Sequence, residues 1–139
     1  MIREDYLVKM IRRAAAAIAR ALDLVQQEEP QPGQEQQSVE ALDEALRLLI
    51  KMPRDMVARL EPKALLEHLD DAQGARSMAA AFRVEGLWCE KRGETKRALR
   101  HYQRAMQLLL AVGIGESSAD KQLAAAILAS TQRLRPGSG

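Results

Sequence analysis

Apolar positions recur at three- and four-residue intervals along most of the chain, and the places where that rhythm stops divide it into helices. Leu7, Met10, Ile11, Ala14, Ile18, Ala21, Leu22 and Val25 share one stripe, which predicts an amphipathic helix over Arg3 to Gln26. Lys9, Arg13 and Arg20 lie elsewhere around the same cylinder. Glu4 and Asp5 interrupt that positive face, and no Trp or Phe anchors the apolar side, so it reads as the solvated face of a core helix and not as a membrane-surface helix. The run "QQEEPQPGQEQQ", Gln26 to Gln37, contains Pro30, Pro32 and Gly33 and nothing to bury. A mobile loop at about 27–37 is expected there. Ser38 then reads as the N-cap of a second helix ending near Met52 and stopped by Pro53, with Val39, Leu42, Leu46, Leu49 and Ile50 as its buried stripe.

The stretch "PRDMVARLEPKALLEHLDD" predicts two short helices joined at Glu61 and Pro62, since proline suits a first helical turn. A third long helix is expected from Ala72 to Arg92. Its apolar residues form two lines, Ala75, Ala79, Phe82, Gly86 and Cys89 on one side and Met78, Ala81, Val84, Leu87 and Trp88 on the other. A helix apolar on two sides belongs between neighbours. Gly93 ends it, Thr95 to Ala111 forms the next helix, and Gly113 closes that one. Ser117 and Asp120 are spaced as a capping pair for a last helix running to about Leu134, and "RPGSG" at 135–139 reads as a disordered tail. The expected architecture is all-α, antiparallel helical hairpins in one domain over 1–134.

Composition agrees with this pattern. Aromatics make up 3% of the chain while Ala and Leu supply most of the 47% that is apolar, a helix-forming mixture. The single cysteine, Cys89, excludes an intrachain disulfide and a thiolate metal cluster. No apolar run approaches the ~18 residues a membrane span needs, and no secretory pattern opens the chain, so a cytoplasmic protein without membrane contact is expected. Net charge is +2, unevenly placed: Asp23 to Asp71 holds 12 acidic and 5 basic residues, whereas Ala72 to Gly139 holds 11 basic and 5 acidic ones. Such asymmetry steers a partner or a second copy, unless the two parts neutralise each other within the fold.

Gly86, Cys89, Gly93, Ala98, Tyr102 and Ala105 have a spacing that resembles a tetratricopeptide repeat. Small residues at 86, 98 and 105 allow two backbones to approach, Tyr102 fills the groove between them, and Gly93 reverses the chain. The resemblance implies an αα-hairpin over about Ala79 to Val112. Cys89 replaces the pattern's aromatic and Leu110 its terminal proline; a fainter echo places Ala41 and Pro53 at alanine-to-proline spacing. Since a solenoid needs about three repeats, the first and last helices or a second copy must cover the hairpin. More broadly, the segments "MIREDYLVKMI", "EALDEALRLLIKMP", "LEPKALLEHL" and "EKRGETKRALRHYQRAMQLLL", in that order, resemble a family of short bacterial helical proteins of unknown function. That likeness covers roughly Met1 to Val112 and implies no activity.

Arg83, Lys91, Arg92, Lys96, Arg97, Arg100 and Arg104 make a candidate partner-binding basic face: Arg97, Arg100 and Arg104, with His101, share the helix side opposite Tyr102 and Ala98, Lys91, Arg92 and Lys96 lie near the preceding turn, and Arg83 is on the first helix of the hairpin. An acidic protein segment suits it better than nucleic acid, because the basic excess is modest and few aromatics remain for stacking. Polyanion binding through that face is the alternative. Some tetratricopeptide domains clamp a terminal carboxylate with Lys and an Asn four residues later. The matching positions here, Arg83 and Leu87, lack the amide. His68 and His101 have no metal spacing to each other or to Cys89, and Asp70 and Asp71 read as acidic residues at a helix start. Cys89 reads as a small buried apolar residue. The expectation is a non-enzymatic scaffold or adaptor without cofactor, metal or catalytic residues. Its partner is another protein, a second copy of the chain included.

Overall fold

The structure, a computed structural model, describes residues 2–29, 31–69, 72–115 and 117–135. The expectations for Asp70, Asp71 and the tail beyond 135 fall outside the described residues. Among the described residues seven helices follow one another: α1 Ile2–Val25, α2 Gln34–Leu49, α3 Arg54–Arg59, α4 Pro62–Glu67, α5 Ala72–Lys91, α6 Thr95–Val112 and α7 Ser118–Leu134. Among the described residues there is no strand, and the protein is all-α.

α1 and α2 form an antiparallel pair through small residues. Ala14, Ala17, Ala21 and Ala45 are each fully buried, so the two helices pack with little side chain between them, and Ile18, Val25 and Leu42 fill the remaining space. α5 and α6 form a second antiparallel pair, in which Gly86 meets Tyr102 and Phe82 meets Arg104. α7 packs beside α6 and runs parallel to α5, with Arg76–Asp120 at one end and Glu90–Arg133 at the other.

Two cores result, and α5 supplies both. Met78, Ala79, Phe82 and Cys89 pack with Tyr102, Ala105, Leu108, Leu109 and Ile127 in the first. Ala81, Val84 and Trp88 pack with α1 and α2 in the second. This is the sandwiched position that two apolar lines require. Met78, expected on the second line, falls in the first core.

The start of α2 is a correction. Gly33 adopts φ +89 and serves as N-cap, and the helix begins at Gln34, so the connection covers 26–33 instead of 27–37. An entirely polar first turn carries no apolar periodicity, yet it is well satisfied. The Gln34 side chain accepts the Gln31 N–H at 2.6 Å, and Glu35 lies in the turn that favours a carboxylate. Ser38 is therefore not a cap but an interior residue with no exposed surface. Its hydroxyl accepts the Trp88 Nε1–H at 2.6 Å and donates to the Ala21 carbonyl at 3.1 Å, joining α1, α2 and α5. α2 also ends at Leu49, short of Met52. At α7, Ser117 caps by accepting the Ala119 N–H at 3.2 Å. Asp120 turns inward instead of completing a capping pair and meets Arg76 at 3.0 Å.

Candidate functional site

The basic residues of α5 and α6 divide into three groups, because the chain turns at Gly93 (φ +77) and brings the two helices face to face. Arg104 is the main correction. It is 9% exposed, stacks over the Phe82 ring at 4.5 Å, and donates Nη2 to the carbonyls of Val57 and Leu60 at 2.7 and 2.5 Å. The Val57 carbonyl also accepts the Leu60 N–H that closes α3, at 3.3 Å, so Arg104 adds a second bond there and supplies one to the Leu60 carbonyl just past the helix end. Burial lowers the Arg104 pKa, and the nearby Glu85 carboxyl opposes that shift. Helical spacing put Arg104 on one face with Arg97 and Arg100. It could not reveal that α3 and α4 cover half of that face.

Arg83 is half-buried, with its pKa lowered by desolvation, so it too is withdrawn from the open face. His101 faces Glu85, its Nδ1 lying 3.3 Å from Oε2. The second group is exposed but engaged within the chain. Arg92 bonds Glu35 and Glu94, Arg97 bonds Glu94 at 2.8 Å, and Lys91 donates to the Gln27 carbonyl at 2.8 Å. The Arg92–Glu35 pair joins the acidic part of the sequence to the basic part, so part of the charge asymmetry is neutralised internally. Of these seven basic residues, Lys96 and Arg100 are the two that stand exposed with neither a carboxylate nor a backbone carbonyl holding them among the described residues.

The packing residues lie together. Gly86, Cys89, Ala98, Tyr102 and Ala105 are buried between α5 and α6, and Gly93 makes the turn. Tyr102 has no exposed surface, and its hydroxyl donates to Glu90 Oε1 at 2.6 Å. Glu90 also takes Arg133 from α7 at 2.7 Å, so one carboxylate ties the hairpin to the last helix. Burial, reinforced by Glu90, raises the Tyr102 pKa. No local pattern signals this network, since Arg133 lies 43 residues from Glu90 in the chain.

A cleft of about 150 Å³ opens between α2, α3, α5 and α6, with Leu42, Val57, Phe82 and Trp88 as apolar walls and Glu85, His101, Arg54 and Cys89 as polar lining. Burial raises the Glu85 pKa against the attraction of Arg54 and Arg104. Burial and the surrounding guanidiniums push His101 down to about 4. Desolvation likewise raises the Cys89 thiol above its usual value despite Arg92. At neutral pH the thiol keeps its proton and the imidazole is uncharged. This is the opposite of the arrangement that activates a cysteine nucleophile, which needs a lowered thiol pKa beside a cationic His.

Among the described residues no group of three His, Cys, Asp or Glu side chains converges to hold a metal ion, and no helix is long and apolar enough to cross a membrane. The fold and these surfaces define an all-α protein of packed helical hairpins. No protein-family model, curated protein or solved structure matches this chain.

Proposed function

We propose that this chain is a non-enzymatic helical scaffold or adaptor, tetratricopeptide-repeat-like in its hairpin, that binds another protein in the cytoplasm. One observation carries the reading: α5 and α6 close on each other through Gly86 and Tyr102, while α1–α2 covers one side of the pair and α7 the other. Hairpins layered in this way present long helix faces to a partner.

Affinity capture from the native host with the full chain as bait tests it. A defined protein partner, retained after nuclease treatment and in near-stoichiometric yield, is the expected result; nucleic acid alone, or nothing, would sink the reading. Self-association has its own supporting observation, since Tyr6 and Val8 are about half exposed on α1 (57% and 47%). Tyr6 lies at a groove lined by Leu7, Met10, Ile11, Leu48 and Leu69. Sedimentation equilibrium at micromolar concentration decides that part. Polyanion binding now rests on Lys96 and Arg100, and heparin retention that persists after both become Ala would remove it.

A further inference from the structure

The surface shared by α6 and α7 differs in charge from the rest of the molecule. α6 contains no Asp or Glu, and the one carboxylate of α7, Asp120, is 6% exposed and bound to Arg76. Neighbouring carboxylates are occupied: Glu94 by Arg92 and Arg97, Glu90 by Tyr102 and Arg133. Between the two helices runs an open groove of about 440 Å³, with Leu99 and Met106 on one wall, Leu128 and Thr131 on the other, and Tyr102 and Ile127 beneath. Leu128 is 51% exposed at its rim. Lys96 lies three residues before Leu99 and Arg100 three before Gln103, so both cations flank the groove on the outer side of α6.

We propose that this groove docks an amphipathic helix of a separate protein, apolar on the face it buries and carrying Asp or Glu along the flank next to α6. The proposal rests on the scaffold reading and names the site and the partner's chemistry. Charge complementarity selects this occupant, as a surface without exposed carboxylates on either helix favours an acidic partner. A nucleic-acid strand needs exposed rings on which to stack, whereas Tyr102 is fully buried and the rim offers Leu128. A second copy fits poorly. Its exposed Tyr6 and Val8 stand among Asp5, Lys9, Arg12 and Arg13, a net positive surface that would meet Lys96 and Arg100 with like charge. On α2, Glu35, Asp43 and Glu44 are already paired with Arg92, Arg54 and Arg20, and Glu40, bonded to Gln36, is a single charge and not an acidic flank. The groove is lined over Leu99 to Gln107 and Ile127 to Arg135, roughly 13 Å of helix, which matches the two to three turns over which a docked helix buries side chains at i, i+3, i+4 and i+7.

The test titrates the full chain with a labelled synthetic helix of about 18 residues, Leu on one face and Glu along one flank, followed by anisotropy and by chemical-shift changes. Saturable binding is expected, with shifts at Leu99, Met106 and Leu128. Leu128→Glu should weaken it about tenfold through lost apolar burial. Lys96→Glu with Arg100→Glu should weaken it about as much, as should replacing the peptide's Glu by Gln. All three positions are exposed, so the variants should melt as wild type does, which circular dichroism checks. Binding indifferent to these changes, or equally strong to a Lys-flanked peptide, overturns the proposal. So does displacement of the peptide by a single-stranded oligonucleotide with the same variant dependence, or self-association that Leu128→Glu abolishes. If the captured partner still binds the triple variant, the groove assignment falls and the scaffold reading stands; absence of any protein partner removes the scaffold reading itself.

Discussion

The ring of Tyr102 occupies the space in which a side chain at Gly86 would begin: a Cβ there would lie 2.5 Å from Tyr102 Cε1 and 2.9 Å from Cδ1 and Cζ. The ring is held by its hydrogen bond to Glu90, so it cannot swing aside cheaply. Gly86→Ala should therefore destabilise the protein by about 1–2 kcal/mol, overpacking outweighing the better helix propensity of alanine. Thermal melts check this. The same substitution should cost less in a Tyr102→Leu background, because the two residues share the strain.

Ser38 and Trp88 make a second such pair. Ser38→Ala leaves the buried indole N–H without an acceptor and should cost about 1–3 kcal/mol, part of which Trp88→Phe in the same chain restores. Trp88 is the only tryptophan, so its emission reports the change directly.

Arg104→Met keeps the stem over Phe82 but frees the carbonyls of Val57 and Leu60. A loss of about 2–4 kcal/mol is expected. Amide exchange should quicken over α3 and α4 while α1 and α2 keep their protection. Uniform loss of protection would contradict the local clamp.

His101 and Glu85 set opposing pH dependences. His101 has a folded pKa of about 4 against an ordinary 6.5, so between those values the unfolded chain binds more protons and stability falls as pH falls. Glu85, raised by burial, holds its proton longer in the folded state, and that contribution is lost as pH rises from its ordinary value through the folded one. In Glu85→Gln only the histidine remains of the pair. Denaturant titrations of that variant should show stability rising by about 2–3 kcal/mol from pH 4 to 6.5. A flat profile would mean that His101 is not held neutral.

Much of the helical layout was legible because periodicity and punctuation survive in one dimension. Pro53, Pro62, Gly93 and Gly113 stand at element boundaries, and the two apolar lines of α5 foretold its place between two cores. The polar first turn of α2 escaped, since Gln34 to Gln37 bury nothing that a periodicity could register. The basic face was legible as a spacing on one helix but not as a surface. Whether Arg104 points into solvent depends on α3 and α4, some 40 residues earlier, and nothing in the local sequence of α6 records their position. Glu90, Tyr102 and Arg133 were hidden for the same reason: a hydrogen bond between distant residues leaves no local trace.

The double commitment of α5 governs how the molecule comes apart. Its Phe82 side and its Trp88 side are fixed to different cores by one rigid rod, so loosening either core deprives the other of a wall. Neither hairpin should therefore fold on its own, and the chain is expected to melt as a single cooperative block, with indole fluorescence and helical ellipticity falling together.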